Sequence, residues 1–133
     1  MSLENPPKST PSGRLMLIAT ITAKAGKEAA VATHLKDVQK LALSDDEPGT
    51  SFYRVTRRVD VHGHLLPVFV VIEDYAGAAG LRAHIAGAAF QKFGKALQEE
   101  DLLEGEIGID YLDERKKDFE HTLISGCVEF KTP

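Results

Sequence analysis

The spacing of hydrophobic and polar positions changes period several times along the chain, and each change marks a new element. Leu15, Leu17, Ala19 and Ile21 alternate with Met16, Ile18, Thr20 and Thr22, the two-residue period of a strand whose second face turns polar toward its end. Gly26 breaks that strand. Val31, Leu35, Val38 and Leu41 then recur at spacings of four, three and three, which predicts an amphipathic helix over about Lys27 to Leu43 with Lys27, Lys36, Asp37 and Lys40 on its wet side. Pro48 disfavours helix in Glu47, and Gly49 supplies a turn. Phe52 to Val61 is rich in β-branched and aromatic residues, and His62-Gly63-His64 separates it from a second such run beginning at Leu65, so a hairpin is expected. After Tyr75 the period becomes helical: Gly77 to Ala86 reads as one helix, Gly87 permits a break, and Phe90, Phe93 and Leu97 continue the stripe to about Glu100. A last strand is expected near Leu103 to Leu112.

This order, β-α-β-β-α-β, predicts an α+β fold of the ferredoxin-like kind with its helices on one face of the sheet. The third strand is apolar on both sides. Val68, Val70 and Ile72 point one way, and Phe69, Val71, Glu73 and Tyr75 point the other. The face left by the helices therefore calls for a second sheet, and an identical partner closing a shared barrel as a homodimer is the economical solution.

Composition narrows the class. A chain of 133 residues with 43% hydrophobic and 27% charged residues suits one domain with a real core. The net charge of −4 comes without a basic stripe, which argues against nucleic acid. The apolar stretches are too short for a membrane-spanning helix. The run Leu15 to Ile21 lies after three prolines and is interrupted by threonine, so it reads as a strand rather than a secretory core. Cys127 is the only cysteine, leaving no intrachain disulfide and no paired-cysteine zinc site. A soluble cytoplasmic protein is expected. The boundaries drawn are an unstructured lead over 1–13, a domain over 14–112 and an extension over 113–133. The extension opens with charged residues, but Phe119, Leu123, Ile124, Cys127, Val128 and Phe130 are too apolar to leave in water, and residues 127–131 alternate as a strand would. Crossing to an exposed strand of the partner and folding back on its own subunit are both open to it.

The candidate chemistry concentrates between Pro67 and Phe93. Leu81, His84, Ile85 and Ala88 share a helix face, which turns His84 toward the interior. Imidazole suits general-base work near neutral pH, and a buried histidine bonded to backbone is the structural alternative. Glu73 shares the strand face of Phe69, Val71 and Tyr75, so burial should raise its pKa and either make it a base or force it to pair. Tyr53 could steer a substrate hydroxyl or simply fill the core. His62 and His64 could supply two metal ligands, but a solvated turn explains them as well, and no metal site is assigned.

Four segments in order carry a resemblance to a known family. They are Ala25-Gly26-Lys27-Glu28, the turn EPGTSFY at Glu47 to Tyr53, VIEDY at Val71 to Tyr75, and LRAHIAGAAFQKF at Leu81 to Phe93. Together, over about Leu15 to Leu112, they resemble the antibiotic biosynthesis monooxygenase domain of the dimeric α/β barrel proteins. That resemblance implies a homodimer with a pocket in each protomer between sheet and helices. Its members include oxygenases that act on quinol or polyphenolic substrates without metal or flavin, haem-degrading enzymes, isomerases and proteins without assigned activity. The haem-degrading members use Asn, Trp and His; this chain has no Trp and has Thr20 at the strand-one position. Of a histidine pair found in many relatives it keeps His84, with Ala89 at the second place.

The reading that follows is a monooxygenase without cofactor, acting on an aromatic, quinol or polyketide-like molecule, with His84 and Glu73 as catalytic candidates. Thr20, Tyr53, Phe69, Tyr75, Phe90 and Phe93 are the candidate substrate contacts. Isomerisation or decarboxylation by the same base is the alternative reaction, and a binding or structural dimer is the alternative class. A pocket too small for any ring would favour that last alternative.

Overall fold

A computed structural model describes residues 5–115 together with Asp118 and Phe119. The elements run β1 (Leu15–Thr22), α1 (Glu28–Ala42), β2 (Thr50–Val59), β3 (Leu65–Tyr75), α2 (Gly77–Ala86), α3 (Ala88–Glu99) and β4 (Gly108–Leu112). The strands form one antiparallel sheet in the order β2-β3-β1-β4. This is the ferredoxin-like α+β arrangement expected from the periodicity. The helix break falls at Gly87, whose extended backbone (φ −69°, ψ 151°) separates α2 from α3.

Alternation decides which side chains are inside. On β1 Leu15, Leu17, Ala19 and Ile21 are buried, and on β3 Phe69, Val71, Glu73 and Tyr75 are buried, while their neighbours in sequence are half-buried. Val31, Leu35 and Val38 of α1 and Leu81 of α2 close over that face. Each such aliphatic side chain contributes about 1.5–3 kcal/mol by leaving water. The opposite face carries Met16, Ile18, Val68, Val70 and Ile72, all half-buried.

Some boundaries differ from expectation. The last strand is shorter, because Asp101 and Gly105 take positive φ (51° and 75°) and leave only a single bridge, Leu103 to Ala23, before Gly108. The hairpin strand β2 stops at Val59, and Val61 stands in the turn. There Asp60 Oδ1 accepts from the backbone N–H groups of His62 and His64, so this segment is a side-chain-capped turn. The lead is tied down earlier than expected: Thr10 to Gly13 close a turn, and Ser12 donates to Asp113 Oδ1 through its backbone and its hydroxyl. The extension's apolar residues beyond Phe119, with the strand expected at 127–131, lie outside the described residues. Phe119 itself is exposed, and β4 forms one edge of the sheet.

One contact between backbones places the turn before β2 against α2. Gly49 O accepts from Ala76 N at 2.8 Å. A Cβ on Gly80 would stand 2.7 Å from Gly49 O, and one on Gly49 would stand 2.9 Å from Gly80 Cα. Neither glycine has a positive φ, so closeness rather than conformation requires them. Gly80→Ala should therefore destabilise the fold by about 1–3 kcal/mol through overpacking, although alanine is the better helix former. Urea denaturation checks this; equal or greater stability would show that the contact is not tight.

Candidate active site

The turn held by Gly49 ends in a carboxylate that reaches under α2. Glu47 Oε1 and His84 Nδ1 share a hydrogen bond at 2.5 Å, and the two side chains are only 7% and 2% exposed. The hydroxyl of Thr50 donates to the same oxygen at 3.3 Å. Gly87 lies next to the pair: a Cβ there would stand 3.2 Å from the His84 carbonyl oxygen and in ordinary contact, 3.6 Å, with Glu47 Oε2. The rings of Tyr53, Tyr75 and Phe90 each lie 5.4 Å from the imidazole and fix its orientation.

This arrangement has a direct chemical consequence. A carboxylate accepting from Nδ1 places the proton of a neutral imidazole there, leaving the lone pair on Nε2. Nε2 is buried and has no hydrogen-bond partner among the described residues. His84 lines an apolar cavity between the sheet and helices α2 and α3, together with Glu73, Tyr53, Phe90 and Phe93. Buried polar atoms are almost always paired, and an unpaired one calls for an explanation such as a ligand.

Glu73 is the second polar group of the cavity. Its strand neighbours in register are Tyr53 on β2 and Leu17 on β1, and the Tyr75 hydroxyl donates to its Oε1. Burial pushes the Glu73 carboxyl up to about 7; the Tyr75 hydrogen bond restrains that rise and the nearby Glu47 adds to it. The same burial raises the phenols of Tyr53, Tyr75 and Tyr111, each with Glu73 as a further cause. All three tyrosines of the chain thus gather around one carboxyl. A carboxylic acid kept protonated close to neutral pH can donate a hydrogen bond to a developing oxyanion.

Other expected positions fall elsewhere. Tyr75 is not part of the cavity wall; it holds Glu73 and packs on His84. Phe69 is buried on the same strand face, but its ring lies beneath the Arg57 guanidinium at 5.1 Å and outside the cavity lining. Thr20 belongs to the half-buried outer face of β1, which alternation turns away from this cavity. His62 and His64 are exposed with rings 6.1 Å apart. Among the described residues no group of three His, Cys, Asp or Glu is placed to hold a metal ion. Glu47 is the residue that sequence reasoning missed. Its only signal is a carboxylate directly before Pro48-Gly49, in a segment already tied to the family resemblance.

The cavity measures about 60 Å³. Because an apolar cavity of roughly 150 Å³ is needed to seat benzene, an aromatic ring requires some of its walls to move.

Comparison with solved structures adds relatives to this geometry. A candidate antibiotic biosynthesis monooxygenase from Caulobacter crescentus is 28% identical with a TM-score of 0.65, over 76% of this chain and 89% of its own. A Pseudomonas aeruginosa protein is 31% identical with a TM-score of 0.61, over 78% and 96%. A further candidate antibiotic biosynthesis monooxygenase, from Nitrosomonas europaea, shares the fold at 16% identity with a TM-score of 0.68, over 77% and 91%. No protein-family model matches the chain, and neither does any curated protein. Among the described residues no helix is long and apolar enough to cross a membrane.

The raised Glu73 carboxyl makes stability depend on pH. Between about 4.5 and 7 the folded chain keeps a proton that the unfolded chain releases, so stability falls as pH rises through that window, by on the order of 3 kcal/mol in all. Urea midpoints measured from pH 4.5 to 8 should show this decline, and Glu73→Gln should remove it. An undiminished decline in that variant would assign the effect to another group.

Proposed function

Since the chain belongs to the antibiotic biosynthesis monooxygenase-like family, we propose that it is a small enzyme that removes a proton from a phenolic or enolic substrate within the cavity and prepares it for oxygenation. The observation that carries this reading is the unpartnered, buried Nε2 of His84, backed on its other nitrogen by Glu47. Nε2 takes the substrate proton as general base, and Glu47 stabilises the resulting imidazolium. Protonated Glu73, fixed by the Tyr75 hydroxyl, donates to the substrate oxygen as negative charge grows there.

The oxidative step uses dioxygen as oxidant and the substrate anion as the source of electrons. A carbon–oxygen bond forms to the ring carbon that bears a C–H opposite the oxygen anion. Loss of that hydrogen as a proton and cleavage of the O–O bond then release water and leave a carbonyl. A phenol and one dioxygen thus become a quinone and one water. An apolar wall around the anion favours electron transfer over protonation by solvent. No metal or flavin enters this scheme.

Two assembly features belong to the same proposal. The half-buried apolar outer face of the sheet supports a homodimer joined through its sheets. A second reading, a binding or structural dimer without turnover, is favoured by the small cavity volume. Oxygen uptake measured with a panel of monocyclic and bicyclic phenols separates the two. On a substrate found this way, His84→Ala should lower turnover by roughly a hundredfold or more with the fold retained, and Glu47→Gln should lower it less. Full activity in His84→Ala would make His84 structural, and no uptake with any phenol would favour the dimer without turnover.

A further inference from the structure

The small cavity lies beside a larger groove on the protein surface, and the two share part of their lining. The groove, about 560 Å³, runs between α3 and the segment that precedes β4. Cavity and groove share four lining residues: Phe90, Gly94 and Leu97 of α3, and Ile107 across from them. On α3 these first three positions are spaced i, i+4 and i+7, one stripe of the helix. The stripe has an apolar side chain at each end and none at its centre.

Nothing in the backbone requires glycine at 94. It lies in the middle of a helix, where glycine is less stabilising than alanine. Its φ is not positive. A Cβ built there would meet no atom within 4 Å, in contrast to Gly49 and Gly80, whose hydrogens face backbone. What the missing side chain leaves is open space at the junction of cavity and groove.

We infer that the gap at Gly94 is the mouth through which substrate reaches His84, and that it admits flat, single-ring phenols or enols rather than fused polycycles. This deepens the proposed general-base function and rests on it. The sheet-side and α2-side walls are fixed, because Leu17, Val71 and Leu81 are almost wholly buried. Phe90 and Leu97 at the mouth are only half-buried, so rotation of these side chains can widen the cavity without disturbing the sheet. Such rotation enlarges the space along one direction, in the plane between α3 and Ile107, which suits one ring entering edge-on.

The probe for this inference is 4-nitrophenol, a single acidic ring whose phenolate is coloured. Titrated with the wild-type protein, it should bind and show a phenolate band that His84→Ala diminishes. Gly94→Leu places a side chain in the gap and should weaken binding by about tenfold or more, with an unchanged circular dichroism spectrum. Ile107→Phe closes the same gap from the other side and should act alike, which keeps the test decisive if Gly94→Leu does not fold. Ala89→Leu, in a different groove between α1 and α3, should bind as the wild type does. Wild-type affinity in folded Gly94→Leu or Ile107→Phe would overturn the mouth while leaving the base in place. Absence of binding to the wild-type protein would overturn both.

Discussion

The site depends on two peptide backbones touching without side chains between them. Gly49 and Gly80 approach so closely that the turn before β2 lies directly on α2, and Glu47, two residues earlier on that turn, is thereby carried beneath His84. Neither partner could be buried alone at small cost. An isolated buried carboxylate is expensive, and a buried imidazole that must donate from Nδ1 needs an acceptor. The pair satisfies both and leaves one nitrogen free. Burial, hydrogen bonding and reactivity at this site are therefore one arrangement seen from three sides.

Two carboxyl groups in one apolar interior meet different partners. Glu47 has the histidine as its partner. Glu73 has a phenol, the Tyr75 hydroxyl, and burial lifts its carboxyl to about 7. A carboxyl raised in this way can serve as the acid of a site whose base is the imidazole. The sheet register brings this about, because Tyr53, Glu73 and Leu17 stand side by side across β2, β3 and β1.

The fold was legible in the sequence because the periods are clean. Alternation in β1 and β3 and the three-and-four spacing in α1 leave little choice of element, and Gly87 marks the helix break. The inward placement of His84 and Glu73 follows from the same periods. Glu47 did not emerge, since a residue in a turn has no period, and its partner lies 37 positions away. Thr20 is a candidate only through resemblance at one strand position, and alternation puts it on the face away from the cavity. Phe69 has the right face but the wrong end of the strand, which periodicity cannot distinguish. The length of β4 was overestimated because apolar Leu103 and Ile107 bracket Gly105, whose left-handed backbone ends pairing.

The central claim is a tautomer: His84 holds its proton on Nδ1 against Glu47 and presents a bare Nε2 to the cavity. Long-range nitrogen-proton correlation spectra of the histidine side chains, recorded on the alkaline side of their titration and assigned with His84→Ala, read this directly. The result expected is a neutral His84 ring protonated on Nδ1, with that signal altered in Glu47→Gln. A ring protonated on Nε2, with Glu47 donating to Nδ1, would contradict the assignment of His84 as the base.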